Sequence, residues 1–220
     1  LNYPRGRVLG GCSSINGMIY MRGQSTDYDQ WRQSGNTGWA WDDVLPYFKK
    51  SENQLALPVD EFHGEGGEWR VEKQRLRWDI LDAFRDAAVQ AGIPEIRDFN
   101  RGDNAGVGYF HVNQRAGWRW STAKGFLKPA RDRANLKVFT GAQVKKLNLE
   151  DGRVSGADLR LGGEDAEIDV RGEMILAAGS VGSPQILEVS GIGSARHLKA
   201  MGVEVRHDLP GVGENLQDHL

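Results

Sequence analysis

The sequence predicts an α/β protein, and three observations carry that prediction. The first 125 residues hold several short helical periods broken by glycine and proline, while residues 136–170 alternate as successive short strands. An apolar run from Met174 to Ala178 then ends on Gly179 and leads directly into another helical stretch, the order of a strand feeding a helix in an α/β sheet. With 220 residues the chain is long enough for one large domain or two small ones, and 39% hydrophobic with 26% charged residues is a globular balance. A formal net charge of −2 gives no reason to expect nucleic acid or an anionic membrane as a partner. No apolar run is long enough for a transmembrane segment, and no signal or transit pattern is read at the start.

Taken in order, Ser13 or Ser14 suits the N-cap of a helix over roughly 14–21. A second helix fits "STDYDQWRQSG", capped by Ser25 or Thr26 and stopped by Gly35. A third fits "WDDVLPYFKKSE", with Asp42 and Asp43 at its positive end, Lys49 and Lys50 at its negative end, and Pro46 required within the first turn. "WDILDAFRDAAVQAG" is the clearest helix: Ile80, Leu81, Phe84, Ala87, Ala88 and Ala91 share a face, and Gly92 with Pro94 ends it. A strand near 107–113, a glycine turn, an aromatic return and a short helix capped by Ser121 follow. "LKVFT", "AQVKKLNLE", "RVSGADLRL" and "AEIDV" read as strands, with Asp151-Gly152 as a hairpin turn. Met174–Ala178 reads as a buried strand, "SPQILEVSGIG" and "SARHLKAMG" as helices, and "VEVRHDLP" as a last strand.

Small residues at the carboxyl end of a buried strand are where such sheets admit ligands, and the helix after "GSVGSP" offers free backbone N–H groups to an anion. The same glycines, Gly179 and Gly182, equally serve a plain strand-to-helix turn. No complete Gly-x-Gly-x-x-Gly is present, since "GIGSAR" has Arg196 at the third glycine position, and the P-loop and Gly-x-Ser-x-Gly patterns are absent. Cys12, the single cysteine, is either a nucleophile in a Gly-rich loop or a small packing residue. The seven tryptophans are packing anchors or, as an alternative function, the stacking platform of a non-catalytic carbohydrate- or small-ligand-binding module.

Two long stretches go further. "GRVLGGCSSINGMIYMRG" followed by "DYDQWRQSGNTGWAWDDVLPYFKKSEN" resembles the first signature region of the glucose-methanol-choline (GMC) oxidoreductases. "AAGSVGSPQILEVSGIG", with "GVEVRHDLPGVGENLQDHL" behind it, resembles the second. The resemblance runs from about residue 4 to residue 220 and is nearest the choline and alcohol dehydrogenase branch. It implies an FAD-dependent oxidation of a small-molecule alcohol to an aldehyde or ketone by hydride transfer to flavin.

By motif position, the resemblance places Gly10 and Gly11 where backbone approaches FAD, with Cys12 and Ser14 at pyrophosphate or ribitol. It places Asn16, Gly17 and Met18 along the isoalloxazine, the Val144 backbone at adenine, and Ala178 and Gly179 at a strand end near the cofactor. Some members carry a flavin-bonding histidine at the position of Ile15, so FAD is expected to be non-covalent in the parent protein, and weak or absent in this chain, which lacks the family's pyrophosphate fingerprint. The implied architecture is an incomplete Rossmann-like FAD-binding domain with a three-stranded β-meander over 126–220, and a flavin-covering loop, helices and part of a substrate domain over 1–125. The family's pyrophosphate fingerprint, and its catalytic histidine with a His or Asn partner, match nothing here, and His219, in "NLQDH", is not that base. The chain is therefore expected to be an internal fragment, inert alone, able to form a homodimer through faces left exposed, and cytoplasmic or peripheral to the inner membrane.

Overall fold

The structure, a computed structural model, describes residues 2–102 and 104–218, so the assignment made for His219 lies outside the described residues. The chain forms two compact units, Leu1–Leu136 and Lys137–Leu220.

In the first unit the opening loop does not become the expected helix over 14–21. Gly10 and Gly11 enter at φ 90° and 51°, and a single 3₁₀ turn covers Gly11–Ser14. The Asn16 amide closes on the Cys12 carbonyl at 2.9 Å, and Met18 takes φ 63°. The chain then runs extended, because Met18 and Tyr20 pair with a neighbouring segment: Asn113 N donates to Met18 O at 2.8 Å and Tyr20 N to His111 O at 2.9 Å. Helix α1 (Ser25–Gln33) is capped by Gln24 rather than Ser25 or Thr26; the Gln24 amide donates to Asp27 Oδ2 at 2.7 Å. In α2 (Trp41–Ser51) Pro46 sits beyond the first turn, a departure from expectation that leaves one intrahelical hydrogen bond unmade. Tyr28 joins the two helices, its ring 5.7 Å from Trp41 and 5.8 Å from Phe48.

Strand β1 (Glu52–Gln54) runs parallel to β2 (Trp69–Lys73), with Val71 fully buried. Helix α3 (Asp79–Gln90) forms where its period predicts, and Gly92 follows it at φ 91°. Its apolar face is not covered: Ile80 is 71% and Phe84 69% exposed. Strand β3 (His111–Val112) lies antiparallel to β2, completing a sheet in the order β1-β2-β3. Strands β4 (Gln114–Arg115) and β5 (Trp118–Arg119) form a hairpin across Ala116 and Gly117, both with positive φ. A π-turn (Ala123–Leu127) and α4 (Lys128–Ala130) end the unit, with the Lys124 and Gly125 amides both donating to Ser121 O at 2.9 Å.

The second unit is built on the predicted antiparallel meander of β6 (Ala142–Glu150), β7 (Arg153–Leu161) and β8 (Glu164–Asp169). Asp151 at φ 49° and Gly152 at φ 75° make the tight turn between β6 and β7. Leu147, Ala157 and Leu159 form its core, and α5 (Gly179–Val189) packs Ile186 and Leu187 onto it. Ser190 follows that helix and accepts the Leu147 amide on its hydroxyl at 2.8 Å.

Three expected strands are missing or shortened. Residues 136–140 form none, "VEVRHDLP" yields only β10 (His207–Asp208), and 174–178 is unpaired with Ile175 84% exposed. A strand forms only where a neighbouring strand takes up its backbone hydrogen bonds, and among the described residues 174–178 has no such neighbour. β10 pairs in parallel with β9 (Ile192–Gly193), while α6 (Ala195–Ala200) buries Leu198.

Candidate functional site

The loop from Gly10 to Met18 is held by its own small residues and by the segment 119–123. Ser13 Oγ donates to Gly10 O at 2.5 Å and accepts the Thr122 amide at 2.9 Å. Thr122 Oγ1 donates to the same Gly10 carbonyl at 3.2 Å. Ser14 Oγ donates to Leu9 O at 2.9 Å, and Cys12 Sγ accepts the Gly6 amide at 3.5 Å. These hydroxyl and thiol groups thus close the loop on itself.

Asn16 and Arg119 organise the far end. Arg119 Nη1 donates to Ser13 O at 3.1 Å and to Asn16 Oδ1 at 2.8 Å, and the same Asn16 oxygen accepts the Met18 amide at 3.0 Å. That last bond supports Met18 in a left-handed backbone that a non-glycine residue rarely adopts. Arg119 and Thr122 were not singled out from the sequence, and Ser13 was read as a helix cap. Arg119 is separated from Asn16 by 103 positions, and the only local trace was the run "GWRWST" with Ser121 as a cap.

The flavin implied by the resemblance can be tested against the glycines. A Cβ at Gly10 would lie 2.5 Å from Ser14 Oγ, so that glycine serves the loop's own closure. Gly11 and Gly17 have nothing within 4 Å of where a Cβ would stand, and Gly17 is not in the left-handed region that would by itself demand glycine. Asn16 and Gly17 are exposed and Met18 half-buried, so this stretch offers bare backbone to a planar partner. The residues present fit the group. A cavity of about 590 Å³ lined by Lys73, Arg77, Arg97 and Tyr109 opens elsewhere in this unit and includes none of the loop residues. Beyond the loop, Tyr20 is buried, and burial chiefly pushes its phenol up to about 12 against the pull of Arg22.

The remaining predicted residues lie in the second unit. Val144 is half-buried on β6, opposite Leu159, and the ladder shifts register immediately after it. Ala178 caps α5 and Gly179 opens it at φ 87°, with Ala178 N donating to Ser183 Oγ at 3.0 Å. Both are exposed, at a helix N-terminus whose first amides face no helical partner. The structure therefore brings Gly10, Gly11, Cys12, Ser14, Asn16, Gly17 and Met18 into one continuous loop in the first unit. Ala178 and Gly179 form one helix start in the second.

Comparison with known proteins gives these sites a context. The profile described as GMC oxidoreductase matches residues 1–220. The chain is 42% identical to the oxygen-dependent choline dehydrogenase of Photobacterium profundum over 221 aligned positions, covering 100% of this chain and 39% of that protein. It is 44% identical to that of Brucella ovis, covering 99% of this chain and again 39% of the relative. Among solved structures, pyridoxine 4-oxidase from Mesorbium loti superposes with a TM-score of 0.87 at 35% identity, over 94% of this chain and 41% of that one. An FAD-dependent oxidoreductase from Chaetomium thermophilum superposes with a TM-score of 0.91 at 31% identity, over 97% of this chain and 39% of that one. The chain thus spans about two-fifths of the length of the relatives it matches.

Proposed function

The chain belongs to the GMC oxidoreductase family, and we propose that its first unit provides one wall of a flavin site in an enzyme that oxidises a small alcohol to an aldehyde or ketone. The observation that carries this reading is Gly17: exposed backbone with open space on its Cβ side, beside a Met18 held at positive φ by Asn16. FAD, when bound, supplies the acceptor for the hydride that an alcohol carbon gives up. Gly11 and Gly17 would admit the cofactor to the backbone, while Asn16 Nδ2, which takes no protein partner among the described residues, would present a donor. Arg119 would keep that carboxamide oriented. Ile15 carries no ring nitrogen, so the attachment would be non-covalent.

In the second unit, Val144, Ala178 and Gly179 are the residues we propose for cofactor binding, the α5 N-terminus favouring negative charge. The histidine base that the resemblance implies is not among the residues matched here, so this chain would bind and orient but not take the alcohol's proton. The division at 125/126, the homodimer through exposed faces, and a cytoplasmic or inner-membrane-peripheral location belong to the same proposal. No helix among the described residues is long and apolar enough to cross a membrane.

The test is hydrogen exchange of the 220-residue chain with and without added FAD, alongside intact mass and flavin absorbance. Protection of residues 10–18 on adding FAD is the expected result. Unchanged exchange there at saturating FAD overturns the wall, and alcohol-dependent dye reduction by the chain alone overturns the view that it is inert.

A further inference from the structure

Behind the extended segment that follows the loop, a buried ionic cluster joins residues distant in sequence. Arg22 lies on that segment; its Nη2 stands 3.0 Å from Glu52 Oε2, off the line of a well-directed hydrogen bond, and its Nη1 donates to Phe62 O at 2.7 Å. Both Glu52 oxygens lie 3.1 Å from His63 Nδ1, and Oε2 also accepts the Gly64 amide at 2.9 Å. The other ring nitrogen of His63, Nε2, lies 2.9 Å from Asp98 Oδ2. Asn100 closes the circuit: its amide donates to Asp98 Oδ1 at 2.9 Å and its Oδ1 accepts the Arg22 amide at 2.7 Å. Its Nδ2 donates to Tyr20 O at 3.3 Å. Glu52 and His63 are wholly buried.

An imidazole with an ionised carboxylate at each nitrogen must donate from both, and only imidazolium does. Burial by itself opposes that charge, but the hydrogen bonds to Asp98 and Glu52 lift the ring to about 9. Burial is the largest single influence on Asp98 and tends to raise it, but the bonds from His63 and the Asn100 amide, with the charges of His63 and Arg101, together leave that carboxyl below its usual range. Arg101 Nε lies 2.9 Å from Asp98 and also pairs with Asp60, so buried and half-buried carboxylates are matched by cations. His111, on the strand beside the ring, is pushed down mainly by burial, with His63 and Lys73 acting in the same direction against Asp98 and Glu52.

Such a cluster need not add net stability, since well-packed apolar residues can replace buried ion pairs without loss. What it adds is direction, because its bonds end on the backbone amide of Arg22 and the backbone carbonyl of Tyr20. We propose that His63 is a positioning residue for the segment Met18–Arg22: by bridging Glu52 and Asp98 it holds Arg22 and Asn100, and through them the register in which Asn16–Met18 is presented. What that loop faces rests on the flavin reading; the clamp does not.

The experiment is hydrogen exchange on the 220-residue chain, comparing the unmodified protein with His63→Gln and Asp98→Asn. The Tyr20, Arg22 and Asn113 amides are expected to exchange at least about 10-fold faster in both variants, with β6–β8 amides unchanged. In the unmodified chain their protection, corrected for intrinsic exchange, should fall as pH passes through about 9, and this step should vanish in His63→Gln. Unchanged protection at Tyr20 and Arg22, or a loss spread evenly over α1 and α2 with no pH step, overturns the clamp. If either variant fails to fold, the pH titration of the unmodified chain decides alone. Loosened Tyr20 and Arg22 amides together with no effect of added FAD on residues 10–18 would sustain the clamp and remove the flavin reading.

Discussion

Gly6 and Gly17 flank the same loop and answer to opposite pressures. A Cβ on Gly6 would stand 2.1 Å from the Gly11 carbonyl oxygen and 2.8 Å from the Cys12 amide nitrogen, backbone atoms that cannot swing aside. Gly6→Ala should therefore cost about 1–3 kcal/mol, read by denaturant unfolding of the chain. A Cβ on Gly17 meets nothing within 4 Å. Gly17→Ala should stay within about 0.5 kcal/mol of the unmodified chain yet weaken FAD binding by about tenfold or more, measured by flavin fluorescence titration. Equal FAD affinity in that variant would mean the open side of Gly17 is merely solvent. Arg119 makes the complementary case for a polar residue. Arg119→Lys keeps the charge on a shorter side chain that does not carry a nitrogen to the position of Nη1, from which both Ser13 O and Asn16 Oδ1 are reached, so it should lose about 1 kcal/mol, as should Arg119→Gln. A lysine variant as stable as the parent would show that charge alone suffices there.

The elements divide by how locally they are determined. The turn at Asp151-Gly152 was legible because left-handed backbone at two successive positions has few solutions, and Asp-Gly is among them. Gly152→Val should cost the second unit about 1–2 kcal/mol, read by hydrogen exchange of β6 and β7 amides. Helix α3 was legible in its period and ends but not in its surroundings. Amphipathicity states that a face seeks cover, not what covers it, and Ile80 and Phe84 remain exposed. Replacing both by lysine should leave the melting midpoint nearly unchanged while reducing self-association in sedimentation velocity. A marked fall in stability with self-association unchanged would show that this face packs within its own chain. The stretch 14–21 does not form the expected helix because Ile15, Ile19, Tyr20 and Met21 suit a helix face as readily as an edge strand, and pairing with His111 and Asn113 settles the choice.

At the scale of the whole molecule, all seven tryptophans lie before residue 121, within the first unit, so their fluorescence follows that unit alone. His63 then sets a pH signature. Its folded pKa of about 9 stands above the ordinary 6.5, so its contribution is fully present below pH 6.5 and is lost as pH rises through about 9. By linkage that contribution is on the order of 3 kcal/mol, and fluorescence-detected unfolding of the first unit should weaken over that window. His63→Gln should remove most of the slope, and an equally steep slope in that variant would assign the titration elsewhere. The sequence by itself determined what neighbours along the chain decide: the period of α3, the Asp151-Gly152 turn, the glycines of the 10–17 loop, and the two long signature stretches that carry family membership. The tertiary structure alone decided that residues 18–22 run extended, that Arg119 reaches Asn16, that His63 bridges Glu52 and Asp98, and that 174–178 stays unpaired. The first three of those outcomes depend on partners as far as 103 positions away, and a contact across so long a loop leaves no local period in the residues that make it.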